Sequence, residues 1–126
     1  LKKTSLPSKL SDAEAEVMRA AWGLKGKFTA AELMEKLAAT REWKQTTVFT
    51  FLSRLEKKGL IENEKSGKVN VYTPRLTENE YKSSMARQFL EKMHGGSVRN
   101  FVATLYETDG LSKKEFAELK EWFDKR

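Results

Sequence analysis

Thr46, Thr47, Thr50, Ser53 and Arg54 sit close together in the chain and share a chemistry. Their short hydroxyls can donate or accept a hydrogen bond, and the guanidinium can fork onto two acceptors at once. Interleaved with them, Val48, Phe51, Leu52 and Leu55 recur at i, i+3, i+4 and i+7, which predicts a helix with one apolar face. The hydroxyls and the arginine then occupy the other face, with Gln45 at its start and Lys57 and Lys58 at its far end. Short polar side chains let such a helix approach the DNA major groove closely, and an arginine there can bridge guanine O6 and N7. Gly59 is the expected stop. Two β-prone runs follow, 60–64 and 69–73, joined by Lys65-Ser66-Gly67-Lys68, a hairpin with lysines at its tip that can meet phosphates. A helix, a glycine and a basic two-stranded wing together predict a winged helix-turn-helix. Gln45, Thr46, Thr47, Thr50, Arg54, Lys65 and Lys68 are its candidate DNA contacts.

Other chemistry is scarce. His94 is the only histidine, beside Gly95-Gly96 at an expected helix end, where a C-terminal cation or a solvated side chain is the ordinary role. Cysteine is absent, which excludes disulfides, thiolate metal sites and a cysteine nucleophile, and fits a reducing cytoplasm. No serine–histidine pair can be assembled, and no strand–glycine–lysine–helix pattern makes Gly95-Gly96 a phosphate loop. The expectation is therefore no enzyme, no cofactor and no metal. No apolar run approaches the ~18 residues of a membrane span, and no signal-like segment precedes Ser11, so membrane insertion is not expected.

The 126 residues leave room for one domain or two small ones. Positive charge is unevenly placed along them. Residues 1–76 hold 15 Lys/Arg against 9 Asp/Glu, whereas residues 77–126 hold 9 of each. The whole excess of +6 lies in the half with the helix and wing, which favours double-stranded DNA as partner over a basic surface kept for solubility.

The elements that position these residues announce themselves by capping boxes. Ser11-Asp12-Ala13-Glu14, Thr29-Ala30-Ala31-Glu32, Thr77-Glu78-Asn79-Glu80 and Ser112-Lys113-Lys114-Glu115 each pair a hydroxyl with a glutamate three residues on. Helices are expected over about 12–22, 30–38, 45–58, 78–93, 98–106 and 113–125. The start of the third is open between Lys44, a poor cap, and Thr46. The fold class is thus mainly α with a small β-wing: a winged-helix DNA-binding domain (1–76) followed by three helices (77–126).

Those last helices carry Phe89, Met93, Val98, Phe101, Val102, Leu105, Phe116, Leu119, Trp122 and Phe123 at helical spacing. Some 50 residues make a marginal core alone. Burial against a second copy would resolve the shortfall, which predicts a homodimerisation domain; packing against the first domain is the alternative.

The chain resembles the penicillinase-repressor family of winged-helix bacterial regulators (BlaI/MecI/CopY). The likeness spans about Leu10 to Phe123. It rests on the opening Leu10-Ser11-Asp12-Ala13-Glu14-Ala15-Glu16-Val17-Met18, on Thr47-Val48-Phe49-Thr50 with Arg54-Leu55 and Lys57-Lys58-Gly59, and on Val71-Tyr72-Thr73-Pro74. The resemblance implies a homodimeric repressor on a palindromic operator, with Thr47, Thr50 and Arg54 facing bases or phosphates and the wing lysines on the backbone. It further implies release through a membrane sensor protease pathway by cleavage at an Asn–Phe bond, to which Asn100-Phe101 corresponds. The copper-responsive branch has a C-terminal cysteine cluster that this chain lacks, so the likeness is to the β-lactam branch. Lys44-Gln45-Thr46 and Phe49 depart from that branch, which has a serine-proline entry and a polar residue there. Two alternatives stand beside this reading: a winged-helix protein-interaction module, and a repressor released by a small-molecule ligand.

Overall fold

The computed structural model describes residues 9–126, so the first eight residues of the expected N-terminal domain, and with them most of the stretch before Ser11 expected to hold no signal-like segment, lie outside the described residues. The order is α1 (Asp12–Gly23), α2 (Ala30–Leu37), α3 (Gln45–Lys57), β1 (Ile61–Ser66), β2 (Val69–Pro74), α4 (Glu78–His94), α5 (Val98–Glu107) and α6 (Lys113–Asp124). All four capping boxes form. At α1 the Glu14 backbone N–H donates to Ser11 Oγ at 3.1 Å while Glu14 Oε1 accepts from the Ser11 N–H at 2.9 Å. The same reciprocal pair closes the starts of α2, α4 and α6. Each such cap is worth about 1 kcal/mol, and each explains a glutamate that could otherwise be taken for a catalytic acid.

The third helix begins against local preference. Lys44 is its N-cap and supplies no side-chain hydrogen bond, yet the Val48 N–H already bonds to the Lys44 carbonyl at 3.1 Å. Burying Val48, Leu52 and Leu55 sets the start, a case of tertiary packing overriding capping propensity. Those three side chains meet Val17, Met18 and Ala21 of α1, Leu33 and Leu37 of α2, and Leu60, Ile61 and Tyr72 of the wing in one core. Trp22 is partly buried; its indole N–H donates to the Leu76 carbonyl at 3.0 Å and its ring lies 5.7 Å from Tyr81. Met34 likewise packs on the core from its edge.

The wing is longer than its sequence suggests. β1 and β2 pair antiparallel from Ile61↔Pro74 to Ser66↔Val69, leaving a two-residue turn, Gly67-Lys68. Gly67 takes φ 66°, the left-handed conformation that a two-residue hairpin turn demands. Lys65 is therefore a strand residue opposite Asn70, and only Lys68 stands at the tip, which corrects the expectation of a four-residue lysine tip. A third segment joins: the Phe28 N–H donates to the Tyr72 carbonyl at 3.0 Å, and the Tyr72 N–H to that of Phe28 at 2.8 Å. Their rings stack at 5.7 Å, tying the wing to the start of α2.

The chain divides into two compact units, one ending at Met85 and the other spanning Ala86–Arg126. In the second, Phe89, His94 and Phe101 meet ring to ring at 5.4–5.7 Å. His94, the last residue of α4, is thus half-buried between two phenylalanines rather than merely solvated. No residue of α5 or α6 is buried.

Candidate nucleic-acid interface

Helix α3 turns a polar face outward, with Gln45, Thr46, Thr50, Ser53, Arg54 and Lys57 exposed and Thr47 half-exposed at its edge. Its first turn holds no acidic residue and no side chain caps it, so N–H groups there are open to an anionic partner. Thr50 is already committed in part: its hydroxyl donates to the Thr46 carbonyl at 3.0 Å, so its oxygen faces outward as an acceptor.

Arg54 is held by stacking instead of by charge. Its guanidinium lies 5.8 Å from the Phe51 ring centroid, and it enters no ion pair among the described residues. The stack continues, since Trp43 lies 5.1 Å from Phe51 and the Arg41 guanidinium 5.3 Å from Trp43. Arg41 is anchored in turn on Glu16 of α1, with Nε 3.0 Å from each carboxylate oxygen. The hydrogen-bonded Arg41 guanidinium holds the Glu16 carboxyl below its ordinary range, and the pairing raises Arg41 correspondingly. Arg41, Trp43 and Glu16 are not among the contacts expected from the sequence. Only the Arg54–Phe51 stack has a local signal, the i, i+3 spacing that sets a cation over a ring on a helix.

A second anchor pins the far end of α3. Lys58, at its C-cap, places Nζ 2.6 Å from Glu14 Oε1, and Glu14 is only 3% exposed. Burial pushes the Glu14 carboxyl up, but the Lys58 ammonium and the Ser11 N–H outweigh it and leave the group lowered. The ion pair therefore stands across the neutral range and is lost only when acid protonates Glu14. Lys58 is consequently a structural cation, while Lys57 remains free to meet a partner.

On the wing, the acids are matched and the candidate lysines are not. Glu62 pairs with Arg75 at 3.2 Å and Glu64 with Lys27 at 3.9 Å, whereas Lys65 and Lys68 are exposed and make no ion pair among the described residues. Neutralising both is expected to weaken binding to all duplexes alike. The slope of log affinity against log salt should flatten by about one unit for each phosphate that is no longer neutralised. A salt titration measures this, and an unchanged slope would move the grip on the DNA backbone elsewhere.

In the second unit Phe89, Met93, Val98, Phe116, Trp122 and Phe123 are exposed, while Phe101, Val102, Leu105 and Leu119 are half-buried. They fall into separate groups rather than one stripe: Phe101 with Phe89, Phe116 with Tyr106 at 5.7 Å, and Trp122 with Phe123 at 5.0 Å. Asn100 and Phe101 occupy the first turn of α5, whose single side-chain cap is Ser97 Oγ accepting from the Asn100 N–H at 3.0 Å.

Residues 10–125 match the family model described as penicillinase repressor. The penicillinase repressor of Bacillus licheniformis is 36% identical over 110 residues, 87% of this chain and 85% of that protein. The methicillin resistance regulatory protein MecI of Mammaliicoccus sciuri is 31% identical over 117 residues, 93% of this chain and 94% of that one. Among solved structures, the DNA-binding domain of the repressor BlaI aligns with a TM-score of 0.53 and 39% identity, covering 61% of this chain and 92% of that domain. Monomeric B. licheniformis BlaI in complex with the blaP half-operator aligns with a TM-score of 0.50, also at 39% identity, over 59% of this chain and 89% of that one.

Proposed function

The chain belongs to the penicillinase repressor family, and from that membership we propose that it represses transcription as a homodimer, seating one α3 in each half of a palindromic operator. It is a DNA-binding repressor and not an enzyme. The observation that carries the DNA-reading assignment is the exposed polar face of α3, where Arg54 stands free of any ion pair among the described residues while the neighbouring acids Glu14 and Glu16 are occupied. On this reading Gln45, Thr46, Thr47, Thr50 and Arg54 face the major groove, and Lys65 and Lys68 grip phosphates.

The homodimer is supported by the second unit, whose α5 and α6 hold no fully buried residue and in which Met93 is 62% and Trp122 50% exposed. Exposed aromatic and aliphatic side chains bordered by charged residues are what an interface between copies uses. Sedimentation across a dilution series is expected to show a concentration-dependent dimer. A monomer at every concentration that still binds a palindrome tightly would overturn the arrangement.

Release by cleavage of Asn100–Phe101 fits the position of that bond. It lies in the first turn of α5, held by one side-chain cap, and Asn100 is exposed. Local fraying of that turn is enough to present the bond to a protease of a membrane sensor pathway. No helix among the described residues is long and apolar enough to cross a membrane, and a repressor of this kind works in the cytoplasm, where its operator is.

A further inference from the structure

Phe49 and Phe51 stand two residues apart on α3, so the helix turns their rings about 200° away from each other. Phe51 packs on Trp43 and the core. Phe49 points outward and is 39% exposed, with no ring contact among the described residues. Of its neighbours one turn away, Gln45, Thr46 and Ser53 are polar and exposed, while Leu52 turns into the core. The ring is therefore an apolar group beside the polar face assigned to the major groove; it lies outside the core cluster and presents its uncovered part to whatever α3 meets.

In the major groove only one base edge offers an apolar partner of matching kind, the C5-methyl of thymine. We propose that Phe49 is a specificity-determining residue that packs against the C5-methyl of a thymine in each operator half-site. The proposal rests on the repressor reading given above and deepens it. Hydrogen-bonding groups on both sides of the ring, Thr46 and Ser53, then read the adjoining edges, while Phe49 selects for the methyl group. Cytosine at that position would place an amino donor against the ring with nothing to accept from it, and would offer no methyl group to pack on.

The test uses the full chain. Operators are selected from a random duplex library, and each thymine of the enriched sequence is replaced in turn by deoxyuridine, which removes the methyl and keeps every hydrogen-bonding group. One thymine per half-site is expected to lose about fourfold in affinity, the worth of one methyl group taken out of water. Phe49→Ala should bind the thymine and uracil duplexes equally at that position and keep its preferences elsewhere, while Phe49→Leu should retain most of the methyl dependence. If every deoxyuridine duplex binds the unaltered protein as tightly as its thymine parent, the assignment is wrong. The same holds if Phe49→Ala keeps the methyl dependence, or if it binds DNA unchanged and so leaves the ring to a protein partner. Failure to enrich any sequence would bring down the repressor reading itself, a result distinct from enrichment without methyl dependence.

Discussion

Ending the chain at Asn100 is expected to leave the winged helix folded and to lower affinity for the full two-fold operator by about 10²–10⁴. The core that holds α1 to α3 and the wing draws its buried apolar side chains from Leu10 to Leu76, so it is complete well before the cut. What disappears is Phe101 through Arg126, with the aromatic partner of Phe89 and His94 and all of α6. Two half-sites bound by one dimer are held at high effective concentration, and that advantage vanishes when the copies separate, although neither reading helix has changed. Affinity for a single half-site should accordingly stay within a few-fold of the intact protein. Circular dichroism and titration of both duplexes check the two halves of this expectation. A truncated protein that still dimerises and binds the full operator as tightly as the intact chain would remove the proteolytic switch while leaving the DNA-reading face in place.

Arg54→Ala carries the next largest effect. Removing a bidentate arginine–guanine pairing costs about 1–3 kcal/mol, or roughly five- to 150-fold in affinity, and relaxes base preference at one position. Because Arg54 is exposed and free of ion pairs among the described residues, its removal leaves no buried charge behind and stability should move little. Thermal unfolding together with titration of a panel of single-base operator variants separates a reading role from a structural one. Uniform weakening on every variant would instead mark Arg54 as a phosphate ligand.

Much of this site is visible in the sequence because local rules and burial agree there. The capping boxes at Ser11, Thr29, Thr77 and Ser112 fix helix starts to the residue, and the apolar spacing of Val48, Leu52 and Leu55 fixes which face of α3 remains outside. Sequence reasoning fell short where partners lie far apart in the chain. Nothing near Arg41 announces Glu16, and nothing near Lys58 announces Glu14, yet these two ion pairs join both ends of the α3 region to α1. The Phe28–Tyr72 pairing is hidden for the same reason, since a lone bridge leaves no periodic trace. At the wing the miss was local: Lys65 and Ser66 have poor strand propensity, but pairing with Asn70 and Val69 draws them into β1 and shortens the turn.

That α3 reads DNA sequence is the central claim, and a specificity ratio tests it most directly. The affinity of the full chain is measured at physiological salt for its selected palindromic operator and for a random duplex of the same length. The operator is expected to bind about 10³–10⁷ times more tightly, the range of sequence-reading proteins. A ratio near one, with both duplexes losing affinity together as salt rises, would show a basic surface that meets phosphates without reading bases, and would contradict the claim.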